Sequence, residues 1–338
     1  MSLNSLNGNQ RRQLIDTQQV FETWRATNTE RNRRFLGSMR WARRNDTEYL
    51  LRKIKSHETS LGPRSSKTEK TYDAFIRGRD ENTERLSNLA SRLDEFAPIN
   101  RAMGLGRLPV IAAQILRKCD DAGLLGEQLF VVGTNALFAY EVLAGAFIES
   151  DLVASGDIDL LYDTSRSLSV AVNDNIRNAG FLGILKEADK SFALFRPRGY
   201  RAANSDGYFV DLIRPEPKDV FRDRSPSAIS HLPEDMEGAP IFGLTWLVNA
   251  PKIEAIVLDE KGYPVRLVAI DPRVFALHKA WLSSRDDREP LKKKRDIDQA
   301  KIAAEIAVKY LQLPFEPAPL SALPAALRNL TATVSSKD

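Results

Sequence analysis

The sequence predicts an α+β protein, with a strand-rich middle between helical runs at both ends. Three observations predict it. Apolar residues recur at helical spacing before residue 97 and after residue 272. Short apolar runs bounded by glycine and proline fill the middle. One of them, residues 128–132, passes through a tight glycine turn straight into a helix. The chain has 338 residues, 43% of them apolar, so it can bury a sizeable core.

The elements follow in order. Residues 10–34 carry Leu14, Val20, Phe21 and Trp24 on a polar background, the mark of a helix with a narrow buried stripe. Two extended runs, Met39-Arg40-Trp41-Ala42-Arg43 and Glu48-Tyr49-Leu50-Leu51-Arg52, flank Asn45-Asp46 and predict a β-hairpin. Residues 56–66, with Gly62-Pro63, read as a loop. Residues 67–96 return to a helical period through Tyr72, Phe75, Leu86, Leu89 and Leu93. A break over 98–109, holding Gly104 and Gly106, precedes a helix over 110–121. After the strand at 128–132 come Gly133-Thr134-Asn135 and a helix from Ala136 to Glu141. Residues 158–162 form a strand, and 167–179 an amphipathic helix that stops at Gly180. Further strands are expected over 191–196 and 208–213. Residues 254–258 and 265–270 flank Lys261-Gly262-Tyr263-Pro264, a hairpin signal. Helices follow over 274–283 and 297–310. The tail beyond Pro314 is rich in proline, alanine and serine and is expected to be loosely held. The expected organisation is a basic helical and hairpin region (1–97), a core (98–271), a C-terminal helical region (272–313) and a flexible tail (314–338).

Several classes are excluded by what the sequence lacks. Cys119 is the single cysteine, so no internal disulfide or cysteine-rich zinc site can form, and its apolar setting makes it a core filler. His57, His231 and His278 stand at no metal-ligand spacing; a structural role is expected for His278, although it adjoins Lys279. No G-x-S-x-G, Walker A or HExxH pattern occurs. No run of about 18 apolar residues is present, so no membrane span is expected. The first residues lack the charge and apolar run of a secretory signal, and the expected location is the cytoplasm. The net charge is only +4, but basic residues outnumber acidic ones roughly twofold between Arg11 and Lys70. That region is either a solvated face or a surface that meets phosphates.

Three short motifs carry chemistry. In Asp157-Ile158-Asp159-Leu160, strand geometry sets both acids on one face and the apolar pair on the other. Two such carboxylates repel unless a cation sits between them, and oxygen ligands suit Mg²⁺ or Mn²⁺. The alternative is a solvated strand end. Gly133-Thr134-Asn135 opens a helix, where free backbone N–H groups, the helix dipole and the Thr134 hydroxyl suit a phosphate. The alternative is an ordinary cap, with Thr134 or Asn135 serving the helix alone. Asp211 lies in Tyr208-Phe209-Val210-Asp211-Leu212-Ile213, a strand too apolar to bury an acid without a partner. A shared metal would serve, as would an arginine such as Arg196 or Arg214.

The order strand, Gly-Thr turn, helix, Asp-x-Asp strand and later Asp strand resembles the polymerase β nucleotidyltransferase superfamily over residues 128–213. The gap from Thr134 to Asp157 is longer than that family's compact pattern, so residues 143–155 extend the helix or insert a loop. Lys279 on one helix and Arg295-Asp296 on the next are similar to the lysine and Arg-Asp positions of abortive-infection type IV toxin nucleotidyltransferases. Most of residues 37–310 resembles a bacterial family of nucleotidyltransferase fold proteins.

The resemblance implies a mixed-sheet, polymerase β-like core with helical elaborations at both ends. It implies Mg²⁺- or Mn²⁺-dependent transfer of a nucleotidyl group from an NTP such as ATP to an acceptor hydroxyl, with release of pyrophosphate. Asp157, Asp159 and Asp211 would hold the metal ions. Gly133, Thr134 and Asn135 would hold the β- and γ-phosphates, and Lys279 would steady the triphosphate. Asp296 would orient Lys279 or the base, and Arg295 would reach phosphate. The plainer alternatives are a solvated Lys279 and a basic helix entrance at 292–295. Toxin relatives act on tRNA ends, so tRNA or another RNA is the expected acceptor, met by the basic N-terminal region with Trp24, Trp41, Tyr49 and Tyr72. A toxin-like role would add a cognate antitoxin or regulator as partner. The rivals are transfer to a protein or small molecule, and a catalytically idle module that binds nucleotide or RNA; the intact acid set argues against idleness.

Overall fold

The computed structural model describes residues 3–165, 174–217, 226–316 and 320–334. The chain divides into two compact units, residues 12–105 and residues 1–11 with 106–338.

In the first unit, helix α1 (Gly8–Arg34) and helix α2 (Ser66–Ala102) carry complementary buried stripes. Leu14, Thr17, Val20 and Phe21 recur at helical spacing on one; Phe75, Asn82, Leu86, Leu93 and Ala97 recur on the other at intervals of seven or four. Polar ties fix the pairing: Gln13 Nε2 donates to Asn100 Oδ1 at 2.9 Å, and Asn82 Nδ2 donates to the Thr27 carbonyl at 3.1 Å. These contacts set the helices antiparallel. Strands β1 (Ser38–Arg44), β2 (Thr47–Ile54) and β3 (His57–Pro63) form an antiparallel sheet. The expected hairpin is present, with Asn45 and Asp46 both at positive φ in its turn.

Two expectations fail in this unit. Residues 57–63, read as loop, are the third strand. They are exposed on both faces apart from a half-buried Gly62, so no alternation marked them. Helix α2 also continues through Pro98, where a break was expected. Ala97 and Asn100 are buried on either side, and the Asn100 contacts hold the last turn against the loss of one backbone bond.

The second unit is built on one mixed sheet. Its strands are β4 (Leu129–Val132), β5 (Asp157–Tyr162), β6 (Ala193–Leu194), β7 (Arg201–Ala203), β8 (Phe209–Pro215), β9 (Ala239–Ile241), β10 (Lys252–Leu258) and β11 (Pro264–Ile270). The order is β10-β11-β4-β5-β8-β7-β6, with β9 also on β8. Strand β5 is antiparallel to β4 and parallel to β8. Helices α3 (Val110–Asp121), α4 (Leu137–Ala144), α5 (Asp174–Ala188), α6 (Leu244–Val248), α7 (Pro272–Ser284) and α8 (Pro290–Glu305) belong to the unit, with further short helices at Ser150–Val153, Ala325–Arg328 and Thr331–Val334. Ile115, Leu116 and Cys119 of α3 are fully buried, as are Phe130, Leu160 and Leu212 of the sheet. Each such apolar side chain contributes roughly 1.5–3 kcal/mol. Burial pushes the Cys119 thiol up to about 12, so it is an inert core filler.

Residues 167–173 of the helix expected over 167–179 lie outside the described residues. Residues 174–188 are helical, interrupted at Gly180 (φ 67°, ψ −173°). There Asp235 accepts from the amides of Phe181 and Leu182 at 2.8 and 2.9 Å, and an added Cβ would strike its carboxylate. The tail differs from the loose segment expected: Leu320, Leu323, Leu327 and Val334 are buried in the core. Their apolar spacing is diluted by prolines and alanines, which hid it. Among the described residues no helix is long and apolar enough to cross a membrane.

Candidate active site

The Gly-Thr turn begins where β4 ends. Gly133 has φ +65°, and a Cβ there would run into the Asp159 carboxylate, so both backbone and space demand glycine. Residues Gly133–Ala136 make one 3₁₀ turn before α4. Buried Asn135 donates its amide to the Asp157 carbonyl at 2.7 Å. That bond ties the turn to the acid strand and gives the Asn135 side chain a positioning contact. Thr134 Oγ1 accepts from Gln299 Nε2 at 3.2 Å. Because Gln299 donates, the Thr134 hydroxyl proton stays available to an acceptor such as a phosphate oxygen.

The acids are brought together by register. Val132 pairs with Asp159 across β4 and β5, and Asp211 pairs with Asp159 across β5 and β8. Asp157 and Asp159 share a face of β5, and the Ser155 hydroxyl donates to Asp157 Oδ1. Burial, then the charges of Asp157 and Asp211, push the Asp159 carboxyl up to about 7. Asp211 is held by a bidentate contact from Arg201, with Nε at 2.6 Å from Oδ1 and Nη2 at 2.5 Å from Oδ2. Arginine was one of the two partners expected for Asp211. The arginine is neither Arg196 nor Arg214 but Arg201, its register partner on β7.

Convergence of all three carboxylates on one point is not observed. Among the described residues no group of three His, Cys, Asp or Glu side chains is placed to hold a metal. The Arg201 contact accounts for this at Asp211. The donor set nevertheless fits a hard divalent cation: the ligands are oxygens, and the crowding that raises Asp159 is the crowding a cation relieves. Asp157 and Asp159 fit as they stand. Asp211, engaged by Arg201, does not join them in this arrangement.

Lys279 and Asp296 meet as expected. Lys279 Nζ donates to Asp296 Oδ1 at 2.8 Å, and Arg288 Nε donates to Oδ2 at 2.8 Å. Arg295 does not join them. Its Nη2 donates to the Ala154 carbonyl, bracing the segment that leads into Asp157. Arg288 is the arginine that reaches the site, and it lines a chamber of about 410 Å³ with Gly133, Asp159, Asp211 and Lys279. His278 lines it too; burial and the neighbouring Lys279 charge pull its imidazole down to about 3, so it is neutral. Sequence reasoning missed Ser155, Arg201, Arg288 and Gln299. For Ser155 the signal was its place two residues before Asp157. For the others contact depends on sheet register and helix packing, which no local pattern carries.

Paired acids beside a glycine turn, opening on a chamber lined by cations, are the equipment of an enzyme that handles nucleotide phosphates. A family model described as nucleotidyltransferase matches residues 111–324, more than half of the chain. The chain belongs to this nucleotidyltransferase family: it is a transferase with a nucleotide substrate. The matched span contains the Gly133 turn, Asp157, Asp159, Asp211, Lys279 and Asp296, and leaves out residues 12–105. No curated protein and no solved structure was found to match the chain.

Proposed function

We propose that the enzyme transfers a nucleotidyl group from an NTP to a hydroxyl of an RNA, with tRNA as the favoured acceptor, and releases pyrophosphate. The observation that carries this reading is the register of Asp157, Asp159 and Asp211 beside the Gly133-Thr134 turn. It agrees with a polymerase β-like core. Asp157 and Asp159 would hold Mg²⁺ or Mn²⁺, with Asp211 as third ligand. When bound, such a cation would neutralise the triphosphate and keep attacking and leaving oxygens in line. The acceptor oxygen bonds to the α-phosphorus, the bond to the β-phosphate oxygen breaks, and pyrophosphate leaves. Thr134 and the turn amides bind the β- and γ-phosphates. Lys279 as a point charge and Arg288 through its planar guanidinium, both oriented by Asp296, offset the growing charge. Asp211, freed from Arg201, takes up the acceptor hydroxyl proton.

The RNA acceptor is supported by the basic excess between Arg11 and Lys70. Trp41 already packs on Tyr72 at 5.8 Å with Arg64 over its ring at 5.1 Å. Arginine contacts to the RNA backbone, rather than stacking on Trp41, are the form this support takes. Kinship with toxin nucleotidyltransferases, and hence an antitoxin or regulator as partner, belongs to the same proposal. The test incubates the protein with each α-³²P-labelled NTP, Mg²⁺ and tRNA. Label entering tRNA, and absent with Asp159→Ala, is expected. Label entering protein or a small molecule overturns the RNA acceptor. No transfer to any acceptor overturns catalysis and favours an idle binding module.

A further inference from the structure

The chamber has a second wall that the phosphate chemistry leaves unused. Apart from the acids, the cations, Tyr200 and His278 it is apolar, with Ile213, Leu247, Ile270 and Leu282 among its lining. Phe242, between β9 and α6, lines it while 58% exposed. Behind Phe242 stand two tryptophans, Trp246 at 5.6 Å and Trp281 at 6.0 Å between ring centroids, themselves 5.0 Å apart. Gly243 keeps this cluster tight: at φ +89°, an added Cβ would press on both tryptophan rings at 3.2 and 3.3 Å. An exposed ring braced by two others, on the wall of a chamber, is a stacking platform.

His278 adds the polar counterpart. It sits 5.5 Å from the Trp281 ring and lines the same chamber, yet its buried Nε2 has no hydrogen-bond partner. A buried unpartnered polar atom costs free energy unless something completes it. A ligand in the chamber can do so. A volume of about 410 Å³ lies in the range of small-molecule sites. The same chamber reaches Gly133 and Asp159, so one ligand can span apolar wall and acids.

Resting on the nucleotidyl-transfer reading, we propose that the Phe242 wall is the nucleobase site, and that the enzyme takes a purine nucleoside triphosphate. The base stacks on Phe242 and meets one hydrogen bond at His278 Nε2. A single polar atom cannot read a full base edge, so ring area does the selecting, and a purine offers more of it than a pyrimidine. The neutral imidazole is suited to this, since it can present either a donor or an acceptor.

The test is calorimetric titration of the full chain, with Mg²⁺, by ATP, by CTP and by inorganic tripolyphosphate, which carries the phosphates without a base. Phe242 is exposed, so Phe242→Ala leaves the fold intact; His278→Phe keeps the packing while deleting the hydrogen bond. ATP should bind at least about tenfold tighter than tripolyphosphate and about threefold tighter than CTP. Phe242→Ala should remove about tenfold of ATP affinity and leave tripolyphosphate unchanged. His278→Phe should cost roughly three- to tenfold for ATP alone. ATP and tripolyphosphate binding alike, or Phe242→Ala weakening both equally, overturns the base site while the phosphate reading stands. CTP binding as tightly as ATP overturns the purine assignment. If neither ATP nor tripolyphosphate binds, the nucleotidyl-transfer reading itself falls.

Discussion

The two units differ in where they place their ion pairs, since, among the described residues, only the sheet unit buries some of them. In residues 12–105, the pairs lie in water: the side chains of Arg43 and Asp46 are 71% and 95% exposed. Arg40–Glu58 and Arg34–Glu30 are likewise solvent-facing. The sheet unit has exposed pairs as well, such as Arg285–Asp287 and Lys292–Glu289, but it also has sunk ones: Lys279 and Asp296 are 10% and 3% exposed. Arg273–Asp271 and Arg107–Glu141 follow suit. A pair in water contributes little and can be rearranged freely, whereas a buried pair is dear to break because the orphaned charge stays buried. The difference teaches where geometry is fixed. The buried Lys279–Asp296 pair is held in one arrangement, as a site for phosphate chemistry requires. The other unit keeps its arginines in water, where a pair rearranges at little cost.

The largest effect should come from Asp296→Ala, which strips both Lys279 and Arg288 of their acceptor. Urea unfolding should show a loss of about 3–5 kcal/mol, and a loss below about 1 kcal/mol would deny the contrast. Gly133→Ala should come next. It forces a side chain into left-handed backbone and against Asp159, and should cost about 2 kcal/mol together with nucleotidyl transfer. A normal transfer rate in that variant would mean the turn does not position the acids.

Asp159 gives a smaller, pH-dependent effect. Its folded value of about 7 lies above the ordinary 3.8, so the folded state favours the protonated acid. The stability this brings is full below pH about 3.8 and is lost as pH rises through about 7. Asp159→Asn, measured without divalent cations, should therefore be more stable than the parent above pH about 7, by at least about 1 kcal/mol, and should converge with it below pH about 4. Equal stability across the range would show that Asp159 is not crowded. At the far end, Arg43→Ala should change stability by less than about 0.5 kcal/mol.

What could be read from the chain follows the reach of each signal. The Leu129–Val132 strand, the Gly133 turn and the Asp157–Tyr162 strand announce themselves because a short apolar run, a glycine turn and the Asp-Ile-Asp-Leu alternation are all local signals. Lys279 and Asp296 were reachable only through family resemblance, yet they meet as that resemblance implied. Arg201 was out of reach: its strand has three residues, and its choice of Asp211 is made by sheet register. A structural role was expected for His278 because nothing local reveals the chamber it lines. The His57–Pro63 strand and the Leu320–Leu327 packing escaped for the reverse reason, since neither has a clean periodic face.

The account turns on Asp157 and Asp159 as a cation pair, and Mn²⁺ binding followed by electron paramagnetic resonance tests that most directly. The parent protein should bind Mn²⁺ in competition with Mg²⁺, and Asp159→Asn should weaken that binding at least about tenfold while remaining folded. Arg201→Ala, which frees Asp211, should strengthen it. Mn²⁺ binding of equal strength in the parent and Asp159→Asn would contradict the assignment.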